Sequence, residues 1–272
     1  MTTVAVREPL ATTPPVRPGV LTPFTVFVGR SLRHSLRDPE ALLMGIALPT
    51  LLMLVFTFVF GGAIGGDSRA YIDYVTPGII LLCAGYGAAT TAVAVSRDMT
   101  TGTIDRVRTM PVPGVALLVG HTVASLLRNL FSTAVVILVG VLLGFRPAAG
   151  PVEWLAAVGL VALWILAITA LFAFLGLVAG SAEAASGYGF ILLFLPYASS
   201  AFVPVATMPS WLRVFAEHQP ITPLTESIRA LLAGVSPGGD AVAAVLWPLG
   251  VLAVALVLTA WRFPRTRSRL VH

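Results

Sequence analysis

The stretch WLAAVGLVALWILAITALFAFLGLVAGSA, from Trp154 to Ala182, contains no Asp, Glu, Lys or Arg. An α-helix rises 1.5 Å per residue, so about 20 apolar residues cross the hydrocarbon core of a bilayer. The run exceeds that length and reads as a membrane span. Ala41 to Phe60 and Val75 to Ser96 are equally free of charge. Three more runs qualify: Thr122 to Phe145, interrupted by Arg128, then Ala185 to Ala206 and Ala241 to Trp261. The sequence therefore predicts an all-α integral membrane protein with six transmembrane helices, at about 41–60, 75–96, 122–145, 154–180, 185–206 and 241–261. The fifth carries Pro196 and Pro204 and is expected to be kinked or broken, because proline removes a backbone donor.

Composition agrees: 57% of the 272 residues are hydrophobic and 11% charged, against about 25% charged in a soluble domain. Residues 1–22 (ATTPPVRPG within them) lack an apolar core, which predicts a disordered cytoplasmic tail rather than a cleaved signal. Residues 23–262 form the membrane domain and residues 263–272 a basic cytoplasmic tail.

Every one of the 17 basic residues is arginine. A P-loop needs the lysine of GxxxxGK[ST] and a Schiff base needs a lysine amine, so neither chemistry fits this chain. Cys83 is the single cysteine, and His34, His121, His218 and His272 are too scattered for ligand spacing, so no metal site is expected. No HExxH pair and no Ser/His dyad in facing spans suggests an intramembrane protease. An ion-driven carrier usually places carboxylates inside the membrane, and no Asp or Glu lies within the six runs. The chain is read as a non-enzyme.

Basic loops tend to stay cytoplasmic. With both termini inside, twelve arginines face the cytoplasm, four face out and Arg128 is left in the membrane. The positive charge then meets anionic headgroups of a bacterial inner membrane, and nucleic acid binding need not be invoked. Before the first span, FTVFVGRSLRHSLRD sets Phe24, Phe27, Val28, Leu32 and Leu36 at helical spacing, which predicts an amphipathic helix in the inner interface, ended by Asp38-Pro39. Outside, Thr222 is a candidate N-cap, with Pro223 at the first helical position, Leu224, Ile228 and Leu231 on one face and Gly234 closing the helix. His218, Glu226 and Arg229 could form a catalytic set on paper, but a solvated helix face is the simpler reading.

RDMTTGTIDRVRTMPVPG, Arg97 to Gly114, is the sizeable cytoplasmic loop, with TIDRVRT a short helical candidate stopped by Pro111 and Pro113. Docking onto a soluble partner and merely holding topology are both open on these residues. In the third run His121, Ser125, Arg128 and Ser132 recur at helical spacing, with Asn129 beside them, which aligns one polar stripe. Arg128 then either snorkels to headgroups or faces the bundle at a gate. Phe190, Phe194 and Tyr197 form an aromatic stripe, and Tyr86 and Thr90 a smaller face. These are candidate substrate contacts, although such stripes also serve helix packing or face lipid.

The loop, followed by LLVGHTVASLLRN and VLLGFRP, resembles membrane subunits of type-2 ATP-binding-cassette exporters, closest to the daunorubicin-resistance branch of actinobacteria. The matching pattern is Asp98, Gly102-Thr103, a charged short helix with Asp105, Arg106 and Arg108, then Pro111. HQPITP and IRALLAG are similar to the same branch. The resemblance implies an exporter of a hydrophobic or amphipathic, drug-like substrate, or alternatively of a lipid or glycan precursor. It also implies a separate ATPase subunit that holds ATP and magnesium, a second membrane subunit, and a coupling helix seated in the ATPase. Glu183, in SAEAASG, would give a second contact with it.

Overall fold

The computed structural model describes residues 22–62, 68–103 and 115–262, and all regular structure among them is helical. α1 (Thr22–Leu36) is followed by α2 (Pro39–Leu54), which continues as a π-helical segment at Val55–Phe60. α3 (Ser68–Thr100), α4 (Val115–Leu143) and α5 (Pro151–Val178) are the long helices. α6 (Ala182–Phe194) runs into a 3₁₀ turn at Leu195–Ala198. A second such turn, Val205–Thr207, precedes α7 (Ser210–His218), α8 (Ile221–Leu232) and α9 (Asp240–Arg262).

Five helices among the described residues are long and apolar enough to span a bilayer: Pro39–Phe60, Tyr71–Thr100, Ala116–Leu143, Pro151–Val178 and Asp240–Arg262. The expected span 185–206 is not one helix. It breaks after Phe194, where Pro196 cannot donate and the Ser199 hydroxyl takes up the Pro196 carbonyl at 2.5 Å. The third helix also begins earlier than expected, at Val115 rather than Thr122, because Ala116, Leu117 and Leu118 are buried against Phe27, Val95 and Met99.

α3 is the central post, with Ile72, Val75, Ile79 and Ala88 fully buried. Small residues let its neighbours approach closely. A Cβ on Gly189 would lie 2.6 Å from that of Ala89, one on Gly85 3.3 Å from Leu192, and one on Gly78 2.6 Å from that of Ala201. As the chain number rises on α6 and its turn it falls on α3, so the two segments are antiparallel. α2 and α4 run parallel, matched at Gly45 with Ser132 and at Gly140 with Met53.

α1 lies lengthwise beside the first half of α4 instead of across the end of the bundle. Phe27 is seated on Gly120, where an added Cβ would lie 2.8 Å from the Phe27 backbone, and eight residues further along both helices Ser35 meets Arg128. The break at Asp38-Pro39 is as the sequence suggests: Asp38 caps α2 by accepting from the Ala41 amide at 3.1 Å.

Candidate coupling site

The C-terminal end of α3 carries a dense polar cluster. Asp98, in its last turn, accepts both terminal nitrogens of Arg30 from α1, at 3.1 and 3.2 Å. Its Oδ2 also lies 2.8 Å from His121 Nε2 of α4. A forked guanidinium on a carboxylate is the strong, geometrically specific form of an ion pair. Arg30 is 45% exposed, whereas Asp98 and His121 are 13% and 11% exposed, so the acceptor side of the cluster is largely out of water. Three helices therefore meet at one carboxylate.

α3 ends because Thr101 N returns to Arg97 O at 2.9 Å and Gly102 follows with φ +71°, a left-handed conformation that favours glycine. The Thr101 and Thr103 hydroxyls pair at 3.1 Å. Asp105, Arg106, Arg108 and Pro111, with most of the expected 103–109 helix, lie outside the described residues. Glu183 occupies the first turn of α6, where Ser181 caps the Ala184 amide at 3.2 Å. Its carboxylate is held below the usual range by hydrogen bonds from its own backbone and from Ser181, with a smaller contribution from Arg97. The α6 start and the α3 end thus share one side of the molecule.

One level further in, the polar stripe of α4 faces the bundle. Arg128 donates to Thr90 Oγ1 at 2.6 Å, to the Gly87 carbonyl at 3.2 Å and to Ser35 of α1 at 3.4 Å. Asn129 donates to Ser125 at 3.1 Å, and Ser125 to Gly87 O at 3.4 Å. Gly87 is required here, because a Cβ would overlap the Asn129 amide. Tyr86 packs across Gly45 of α2.

Phe190, Phe194 and Tyr197 are all exposed; the Tyr197 ring lies 6.3 Å from that of Phe194 and also stacks on Phe202 at 4.9 Å, which stacks in turn on Phe56 of the π-helical segment at 4.3 Å. An apolar crevice of about 190 Å³ between α3, α4, α5 and α8 is lined by Ile80, Thr133, Trp154 and Ile228.

The segment between α6 and α9 corrects two expectations. α8 starts at Ile221, where the Gln219 side chain accepts the Ile221 amide at 3.1 Å, so Thr222 is not its N-cap; the Thr222 hydroxyl accepts from Ser200 N at 3.3 Å instead. Leu224, Ile228 and Leu231 are buried and Gly234, at φ +73°, follows the helix end. Arg229 is not on a solvated face. It reaches the carbonyls of Tyr74 and Ser200 at 3.1 and 2.9 Å, pairs with Glu226 at 2.6 Å and lies 3.8 Å over the Tyr74 ring. His218 is elsewhere, bonded to Val214 O, so no catalytic set forms. Among the described residues no group of three or more His, Cys, Asp or Glu is placed to hold a metal.

The model of the ABC-2 type transporter family matches residues 22–233, from the first turn of α1 to the end of α8. The chain belongs to the ABC-2 type transporter family. It is 29% identical over 81% of its length, and 78% of the relative's, to the daunorubicin resistance ABC transporter permease protein DrrB1 of Streptomyces coeruleorubidus. It is 26% identical over 88% of its length, and 87% of the relative's, to the probable doxorubicin resistance ABC transporter permease protein DrrC of Mycobacterium tuberculosis. The resemblance read from the loop and from HQPITP is thereby borne out. In this ABC-2 subunit the residues that sequence reasoning did not place in the site are Arg30, Ser35 and Gly87. Arg30 pairs across 68 residues of chain, a separation that leaves no local pattern. Gly87 was hidden among the several glycines and alanines of its helix.

Proposed function

We propose that this chain is the membrane subunit of an ATP-driven exporter that moves a hydrophobic or amphipathic, drug-like compound outward while a separate ATPase subunit hydrolyses ATP. The observation that carries the reading is the cluster at the inner end of α3, where Asp98 gathers α1, α3 and α4 beside the loop that resembles a coupling helix. Daunorubicin- and doxorubicin-resistance permeases among the relatives support the substrate class. A second copy of this chain, or a related permease, completes the pathway in an inner membrane, with both termini cytoplasmic.

Six crossings fit the packing better than five. Glu183 lies at the Arg97 end of α3, and the Phe202 carbonyl accepts from Tyr71 at its other end, at 2.7 Å. Arg97 and Tyr71 are 26 helical residues apart, about 39 Å. The broken segment 182–202 therefore traverses the thickness that α3 traverses, as a helix plus turns. Irregular backbone is tolerated at such depth where it is buried in protein, and Ser199, Ser200 and Ala201 are buried.

The test is co-purification with a co-expressed ABC ATPase subunit from the same organism, followed by doxorubicin transport in proteoliposomes. Asp105→Arg with Arg106→Asp should insert normally but weaken ATPase association or transport. Normal association and transport by that variant would reduce the loop to a topological anchor.

A further inference from the structure

We propose that α1 is a lever, and that Asp98 is the positioning residue that fastens it to the stem of the cytoplasmic loop; this rests on reading the chain as a subunit driven by an ATPase. Three observations converge. The first is the triad itself: Asp98, one turn before the end of α3, binds Arg30 of α1 through both carboxylate oxygens and His121 of α4 through one of them. The stem of the loop, made of the end of α3 and the start of α4, is thus tied to α1 by a single largely buried group.

The second is that α1 is fixed along its whole length. Phe27 is in contact with Gly120 with no side chain between the two backbones, and Ser35 accepts from Arg128, which also holds Gly87 and Thr90 of α3. The Arg30–Asp98–His121 tie and the Ser35–Arg128 tie lie about 10 Å apart along α4, and the apolar seat of Phe27 on Gly120 lies beyond the first of them, so α1 cannot swing on one point. The third is the connection onward. α1 ends at Leu36 and α2 begins at Pro39, capped by Asp38, so α1 passes its displacement to the first span across two residues.

A push on the loop therefore moves its stem, the stem carries α1, and α1 carries α2. An untied α1 would let the ATPase stroke dissipate in the loop. Arg30 and His121 thereby take a share in coupling although both lie outside the loop itself.

The experiment uses the full transporter with its ATPase subunit in a Cys83→Ser background. Spin labels at Arg33→Cys and Thr101→Cys report the distance between α1 and the stem. The parent should show one narrow distance distribution with and without Mg-ATP, and Asp98→Asn and Arg30→Gln should each broaden it. Doxorubicin transported per ATP hydrolysed should fall about five-fold in each single variant. The double variant should be no worse than the worse single, because both changes break one contact. A distance distribution and a transport-to-ATP ratio that match the parent in both single variants would overturn the lever. So would additive losses in the double variant. A parent whose ATP hydrolysis is indifferent to the membrane subunit would instead remove the exporter reading beneath it, and is seen before any variant is made.

Discussion

Arg128→Lys separates two roles for the cation in α4. A snorkelling anchor needs only a charge at the end of a long stem, and lysine reaches headgroups as well as arginine does. The observed guanidinium instead spreads over three acceptors on two helices: Thr90 Oγ1 at 2.6 Å, Gly87 O at 3.2 Å and Ser35 Oγ at 3.4 Å. An ammonium is a compact point charge and cannot bridge α1 and α3 in that planar fork. Hydrogen bonds to charged groups contribute about 1.5–3 kcal/mol in water-soluble proteins, but polar contacts between membrane helices average nearer 0.6 kcal/mol. Gly87 O would not be orphaned, since the Thr90 and Thr91 hydroxyls also donate to it, at 2.8 and 3.1 Å. Lysine should therefore cost about 1 kcal/mol, and Arg128→Leu about 2 kcal/mol through loss of all three bonds. For a domain of this size 1 kcal/mol lowers the melting temperature by about 2–4 °C. Cys83, buried four residues before Gly87, is a native reporter: a thiol-reactive dye brightens as the bundle opens. The Lys variant should express normally, melt a few degrees early and export less, and the Leu variant should do the same more severely. A Lys variant equal to the parent in melting and in export would refute the bundle contact.

Two further outcomes are expected. Cysteines placed at Ser210, Thr109 and Ser268 in a Cys83→Ser background should differ in intact cells, with only Ser210 labelled by an impermeant reagent; labelling of Ser268 would overturn the six-crossing topology. Gly176→Leu should abolish folded protein, because a Cβ there already overlaps the Ala92 carbonyl oxygen and backbone cannot step aside. The control is Gly159→Leu, a site with nothing within 4 Å, and equal yields from the two would sink this account of the α3–α5 crossing.

What the sequence disclosed follows from the range of each signal. Absence of charge over about 20 residues is a local property, and it located α2, α3, α5 and α9, with α5 found to within a few residues. Helix ends were read less well. α4 starts at Val115 because Ala116 to Leu118 find a buried seat, whereas the apolar run had been read from Thr122. Thr222 looks like a cap until tertiary structure takes its hydroxyl for Ser200 and gives the capping task to Gln219. The stripe of His121, Ser125, Arg128 and Ser132 was legible as a periodicity. Its partners were not, since Gly87 and Asp98 are chosen by how α3 leans on α4 and by how α1 reaches both.

Two polar centres are built on the same helix, one at each end of α3. Asp98 and the Gly87 level lie on the C-terminal half of α3. Tyr71 and Tyr74 lie near its N-terminal end, the first bound to the Phe202 carbonyl and the second to the Ser200 carbonyl and Arg229. Between the halves stands Pro77, which cannot donate back to the Asp73 carbonyl. It sits beside Gly78, where α3 meets the Ala201 backbone of the broken segment. Asp98 and the Tyr74–Arg229 contact are thus carried by one helix, on opposite sides of the point where proline removes a backbone hydrogen bond. That contact is the place where α8 and the 198–204 turn close over the outer end of the post.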